Sequence, residues 1–234
     1  MMRKFVAGIF ISVAVAAMSQ VRSESAVSGS PAPDFASLEP FVRGLSLATR
    51  EAAVYRVRAA TLPTHRHSKP FVIVWTEKGN VTELRDSGSP ITRTFNVAQI
   101  DLYPGGTTHS LHAGKGSLTF TMVELRHENQ PDPKTLPNKP GNCENAVEFP
   151  QGGFACLIRI SPDQQITIPE LGVNSIYIAV DSGRVRNTIP HSRHWESHYR
   201  EGSSQYITGY EEHELRNLER RPLRLVLIVP PPAE

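Results

Sequence analysis

Two pairs of segments stand at one spacing. FVIVWTEKG ends at Gly79 and SIYIAVDSG ends at Gly183; GGTTHSLHA carries His109 and TGYEEHELRN carries His213. Both pairs are 104 positions apart. Upstream, VYRVRAATLP parallels CLIRISPDQQITIP with a one-residue slip. Landmarks that agree on an offset mark an internal duplication of about 100 residues, the size of one domain. The chain must therefore fold as two similar units joined in tandem.

Both units read as β. VYRVRAATL, FVIVWT, AQIDLYP and SLTFTMVEL in the first half, and CLIRIS, ITIP, SIYIAV, SQYITG and LRLVLIV in the second, are short apolar or alternating runs bounded by Gly, Pro, Asn or Ser. The chain holds 19 prolines and 16 glycines, as a fold with many turns requires. A helical period shows only over residues 33–53, and HENQPDPKTLPNKPGN reads as a connector. Each half is expected to be a small antiparallel barrel or sandwich. The first spans 36–127, the linker 128–142 and the second unit 143–230.

The N-terminus reads as a targeting segment. MMRK supplies positive charge and FVAGIFISVAVAAM is a short apolar core followed by small residues, so 1–19 is expected to be a signal peptide and 20–35 a flexible leader. The core is short for a bilayer span, which needs roughly 20 apolar residues. A secreted or periplasmic protein follows, with no stable membrane span after cleavage. In that compartment Cys143 and Cys156, the two cysteines of the chain, are expected to form a disulfide in preference to two free thiols. The net charge of +2 and the lack of a basic run with interleaved aromatics argue against nucleic acid. The expected partner is a small-molecule ligand, and a homo-oligomer stays open.

The motifs HRHSKPFVIVWTEKG and PGGTTHSLHA then carry a resemblance. They are similar to the two cupin motifs: a histidine pair one residue apart followed by glutamate and glycine, then proline, glycine, histidine and asparagine. His65, His67 and Gly79 match the first motif, and Pro104, Gly106 and His109 match the second. The motif glutamate falls on Pro70 or Phe71, and Ala113 stands where asparagine is usual. In the second copy Gly209, His213 and Asn217 match, Ile207 replaces the proline, and Pro169-Glu170-Leu171 replaces the histidine pair. The chain thus resembles a bicupin: all-β, two tandem double-stranded β-helix barrels of the jelly-roll kind. The resemblance implies a metal in the first barrel, held by His65, His67 and His109, and a degenerate second barrel.

Strand geometry is consistent with that site. Residues two apart point to one face, so His65 and His67 project together. Neutral imidazoles suit Zn, Fe, Cu and Ni. Three of them with an open position resemble a catalytic shell more than a closed structural one. The lost glutamate should leave a gap for water or substrate, and His112, Phe71 and Trp75 are expected to support or line the pocket. His191, His194 and His198, in PHSRHWESHYRE, would share a helix face if helical and, with His213, offer a second metal or anion site. Two functions remain. One is an exported metal-dependent dioxygenase, lyase or isomerase acting on a small polar or phenolic compound, with Glu77 and Asp101 as proton-transfer candidates by proximity in sequence. The other is a non-catalytic cupin binding a sugar-like ligand with weak metal or none.

Overall fold

The computed structural model describes residues 32–38, 42–85, 88–126, 138–207, 209 and 211–231. The signal peptide expected over 1–19 and most of the expected linker lie outside these residues; the end of the expected flexible leader, 20–35, is instead structured, with Asp34 bridged to Arg66 and Phe35 opening a 3-10 turn.

Among the described residues, nine strands build the first half: β1 (Val42–Ala48), β2 (Ala52–Ala59), β3 (Thr61–Arg66), β4 (Phe71–Trp75), β5 (Gly79–Arg85), β6 (Ile91–Phe95), β7 (Ile100–Tyr103), β8 (Thr108–Ala113) and β9 (Leu118–Leu125). Nine more build the second: β10 (Cys143–Glu148), β11 (Phe154–Ile160), β12 (Gln165–Ile168), β13 (Ser175–Ala179), β14 (Gly183–Ile189), β15 (Arg193–Tyr199), β16 (Ser204–Ile207), β17 (His213–Asn217) and β18 (Leu223–Val229). A five-stranded sheet of order β1-β2-β9-β4-β7 faces a four-stranded sheet β3-β8-β5-β6. The second half repeats both as β10-β11-β18-β13-β16 and β12-β17-β14-β15, strand for strand. These are two tandem double-stranded β-helix barrels. β4 and β13, and β5 and β14, begin 104 residues apart. The described residues of the stretch 33–53 form no α-helix. They form one 3-10 turn, Phe35–Ser37, then β1 and the start of β2, with β1 paired antiparallel to β2 at the edge of the five-stranded sheet.

The uninterrupted apolar runs have a direct cause: both faces of these strands are buried. In β4, Phe71, Ile73 and Trp75 point into the first barrel, whereas Val72 and Val74 join a core shared between the halves. In β13, Tyr177 and Ala179 point into the second barrel and Ile176 and Ile178 enter the shared core. β9 and β18 add Val123, Leu125, Val226 and Ile228 to that core. The outer faces of the two five-stranded sheets are thus packed together, and each half supplies a wall of the other's core. Cys143 and Cys156 are disulfide-bonded with Cα atoms 5.5 Å apart, tying β10 to β11.

Candidate metal centre

His65 lies on β3 and His67 one residue past its end. Both are buried and Arg66 between them is exposed, as period-2 alternation requires. β3 pairs with β8 so that His65 stands directly opposite His109. The turn Pro104-Gly105-Gly106 fixes the approach. Gly106 has φ +82° and its N–H donates to the His67 carbonyl at 2.8 Å, while His67 N–H donates to the Thr107 carbonyl at 2.9 Å. At Gly105 a Cβ would come within 3.0 Å of the Ser68 carbonyl oxygen, so a side chain there would press on the segment that follows His67.

The three rings converge. His65 Nε2 and His67 Nε2 are 3.0 Å apart, and His67 Nε2 and His109 Nε2 are 3.3 Å apart. One ligand atom from each residue lies within 4.8 Å of the others, the one such group of metal-binding side chains among the described residues. Two tautomers are fixed by what lies behind the rings. The Pro63 carbonyl can only accept, so His65 Nδ1, 2.7 Å from it, carries the hydrogen. Nδ1 of His109 faces the Glu83 carboxylate at 2.8 Å and carries a hydrogen for the same reason. Nε2 of both His65 and His109 therefore faces the centre of the cluster. His67 Nε2, 3.0 and 3.3 Å from them, can meet them through a hydrogen bond or share a cation with them. His67 Nδ1 is buried without a hydrogen-bond partner.

Charge in the site follows from burial. Loss of hydration, opposed by the Pro63 hydrogen bond, pulls His65 down to about 4; loss of hydration and the two neighbouring imidazoles pull His67 down to about 2. Both rings are therefore neutral near pH 7 and available as ligands. Burial would raise Glu83, but hydrogen bonds from His109 and Arg85 outweigh it and hold the carboxylate at about 2. Arg93 extends the network. It pairs with Asp101 at 2.7 Å and contacts the Tyr103 hydroxyl, which in turn lies 3.5 Å from Glu83. Burial and the Glu83 charge hold Tyr103 well above the usual phenol range.

Several expectations need correction. The position of the missing motif glutamate is no gap. Phe71 fills it, fully buried, with its ring stacked on His67 at 3.8 Å between centroids. The carboxylate of the site comes instead from Glu83, behind His109. Phe71 does line the cluster, but Trp75 lies deeper, stacked on Phe95 and donating to Asp101 at 2.6 Å. His112 points outward and is exposed, since it is one residue out of phase with His109 and Leu111 on β8. Glu77 is exposed in a turn, and the Asp101 carboxylate accepts from Trp75, Arg93 and Gln99. Neither faces the three histidines. His191 sits in a turn and His194 and His198 on β15, not on a helix, and all three are exposed. His194 and His213 do line one cavity of about 390 Å³ with Arg193, Trp195 and Glu211, but the four histidines do not gather around a point. His213 itself is buried and hydrogen-bonded to the Tyr177 hydroxyl at 3.0 Å.

Glu83 was legible in principle. It shares the inward phase of Val81 in NVTELR, and a carboxylate on the inward face of a strand marks a site. At the 104-residue offset its counterpart is Asn187, bonded to Ser197, so the second barrel has lost the supporting carboxylate along with the histidine pair.

No protein-family model matches the sequence, and no curated protein sequence matches it either. Solved structures do match by fold. An oxalate decarboxylase of Lactobacillus farciminis, solved with formate, superposes with TM-score 0.56 at 13% identity over 80% of this chain and 79% of its own. AerE of Microcystis aeruginosa superposes with TM-score 0.54 at 11% identity over 79% and 95%. An oxalate decarboxylase of Bacillus subtilis, in a study of its Mn(II) centres, gives TM-score 0.54 at 14% identity over 79% and 70%.

Proposed function

We propose that this chain, a tandem cupin by fold, is an exported metal-dependent enzyme. Its first barrel would hold one divalent transition-metal ion through Nε2 of His65, His67 and His109 and act on a small polar or phenolic compound. The observation that carries this reading is the convergence of three Nε2 atoms at 3.0 and 3.3 Å, with the Nδ1 hydrogens of His65 and His109 committed to Pro63 and Glu83. Such spacings are close to those of nitrogens sharing one ion at bond lengths of about 2.0–2.1 Å.

When bound, the ion would supply Lewis acidity to an oxygen ligand or activate a water. The residues of the chain orient and insulate it. Pro63 and Glu83 set the ring angles, and Phe71 excludes water from one face of His67. Three neutral ligands leave the ion its full charge, so an anionic ligand is favoured. A nitrogen set suits Zn, Fe, Cu and Ni, and the Mn(II) of the Bacillus enzyme adds manganese to the ions worth testing. The disulfide is consistent with a place outside the reducing cytoplasm. Among the described residues no helix is long and apolar enough to cross a membrane.

The test is elemental analysis of the purified protein beside a His65→Ala/His67→Ala variant. About one ion per chain, lost in the variant, is expected. A metal-free protein that takes up no ion on addition of these metals would overturn the reading. A second reading, a non-catalytic ligand-binding cupin, draws on one observation: the three histidines are at most 1% exposed.

A further inference from the structure

That closure has an identifiable source. His67 is sandwiched, with Phe71 on one side and Phe35 stacked at 4.8 Å between centroids. Phe35 also meets His65 at 5.2 Å and Tyr55 edge-on at 5.3 Å, and is 1% exposed. Yet it belongs to neither sheet of the barrel. It stands in the 3-10 turn that precedes β1. The segment is attached to β3 through the Arg66 N–H to Pro33 carbonyl bond of 2.8 Å and the bridge between Asp34 and Arg66. The 3-10 turn is closed locally, by Ser37 onto the Asp34 carbonyl.

We infer that residues 33–38 are a plug whose phenyl ring stands in the place of a ligand, and that the first barrel takes a single-ring aromatic acid or phenol when this segment withdraws. The ring's surroundings define the shape of what can replace it. With Phe35 gone, the vacated space is walled by the Tyr55 ring and the imidazoles of His65 and His67. Flat aromatic walls are matched by a flat ring, edge-on or offset-stacked, and a compact aliphatic ligand would leave them uncovered. The anionic substituent rests on the metal reading given above; the plug itself does not. A ligand that needs the plug's place binds only the open fraction of molecules, so its apparent affinity is reduced by that fraction.

The plug is tested without metal by carbethoxylation with diethylpyrocarbonate, read residue by residue by mass spectrometry. The exposed His112, His191, His194 and His198 serve as internal controls. In the intact chain His65 and His67 should react at least about tenfold more slowly than the controls, and Phe35→Ala should remove most of that difference. Equal rates in the intact chain, or no change in a folded Phe35→Ala variant, would overturn the plug. Should that variant fail to fold, the intact metal-loaded chain decides. In that intact chain saturating benzoate or phenol should raise amide hydrogen exchange in residues 33–38; where Phe35→Ala does fold, it should bind benzoate at least about tenfold more tightly. Unchanged or slowed exchange at saturation, or no binding of either probe to the metal-loaded protein, would overturn the ligand assignment. A chain that takes up no metal sinks the metal reading, while the carbethoxylation result still decides the plug.

Discussion

Nδ1 of His109 donates to Glu83 Oε1 at 2.8 Å, from β8 to the neighbouring strand β5, with both side chains buried. The carboxylate fixes the tautomer and orients the ring, the role that partners behind metal-bound histidines commonly have. Glu83→Gln keeps the volume but removes the charge. It should weaken metal binding by about 10–100-fold, measured by competition with a chromophoric chelator. Affinity equal to that of the unmodified protein would show that Glu83 has no part in the site.

The shared core between the barrels carries stability for both. Ile178 is fully buried there, so Ile178→Ala should cost about 2–5 kcal/mol in denaturant unfolding. Leu45, on the edge strand β1, is 55% exposed, and Leu45→Ala should stay within about 0.5 kcal/mol. If each barrel were self-sufficient, Ile178→Ala would produce two separated transitions in place of one lowered midpoint.

The bond between Cys143 and Cys156 closes a loop with a sequence separation of 13 residues. Its removal in a Cys143→Ala/Cys156→Ala variant should lower stability by about 3 kcal/mol, in the chain-entropy account. Comparing denaturant midpoints with and without reductant gives the same quantity on the natural sequence. A midpoint indifferent to reductant, with reduction verified by mass, would count against a stabilising bridge.

The repeat is legible because duplicated strands keep their burial on both faces: β4, FVIVW, and β13, SIYIA, stand at one offset and are buried throughout. The histidine trio was legible for a similar reason: period-2 spacing survives in the one-letter string. What escaped depended on partners far away in the chain. Glu83 reaches His109 across 26 residues and Phe35 reaches His67 from before the first strand. Phe71 also misled. As the occupant of a lost carboxylate position it suggested a vacancy, whereas a phenyl ring stacked on an imidazole fills that space as fully as a ligand would.

The stability of the metal-free protein should depend on pH through His65 and His67. Their ordinary value is 6.5, and in the folded barrel they are held at about 4 and about 2. Below pH 6.5 the unfolded chain takes up protons that the folded one refuses, so each ring destabilises the fold progressively as pH falls. The window opens at about 6.5 and closes at the folded value of each ring. Within it each ring contributes up to about 1.4 kcal/mol per pH unit, and above it neither contributes. Carboxylates such as Glu83, held at about 2 against an ordinary 4.5, add the same sign only at lower pH. Denaturant unfolding at pH 7.5, 6.0 and 5.0 should therefore show falling stability already between 7.5 and 5.0, before carboxylates titrate. His67→Phe, which places a ring of similar size between Phe35 and Phe71, should flatten that dependence by one ring's share. A variant with the same slope as the intact protein would mean that His67 is protonated equally in both states, and its burial would have no electrostatic consequence.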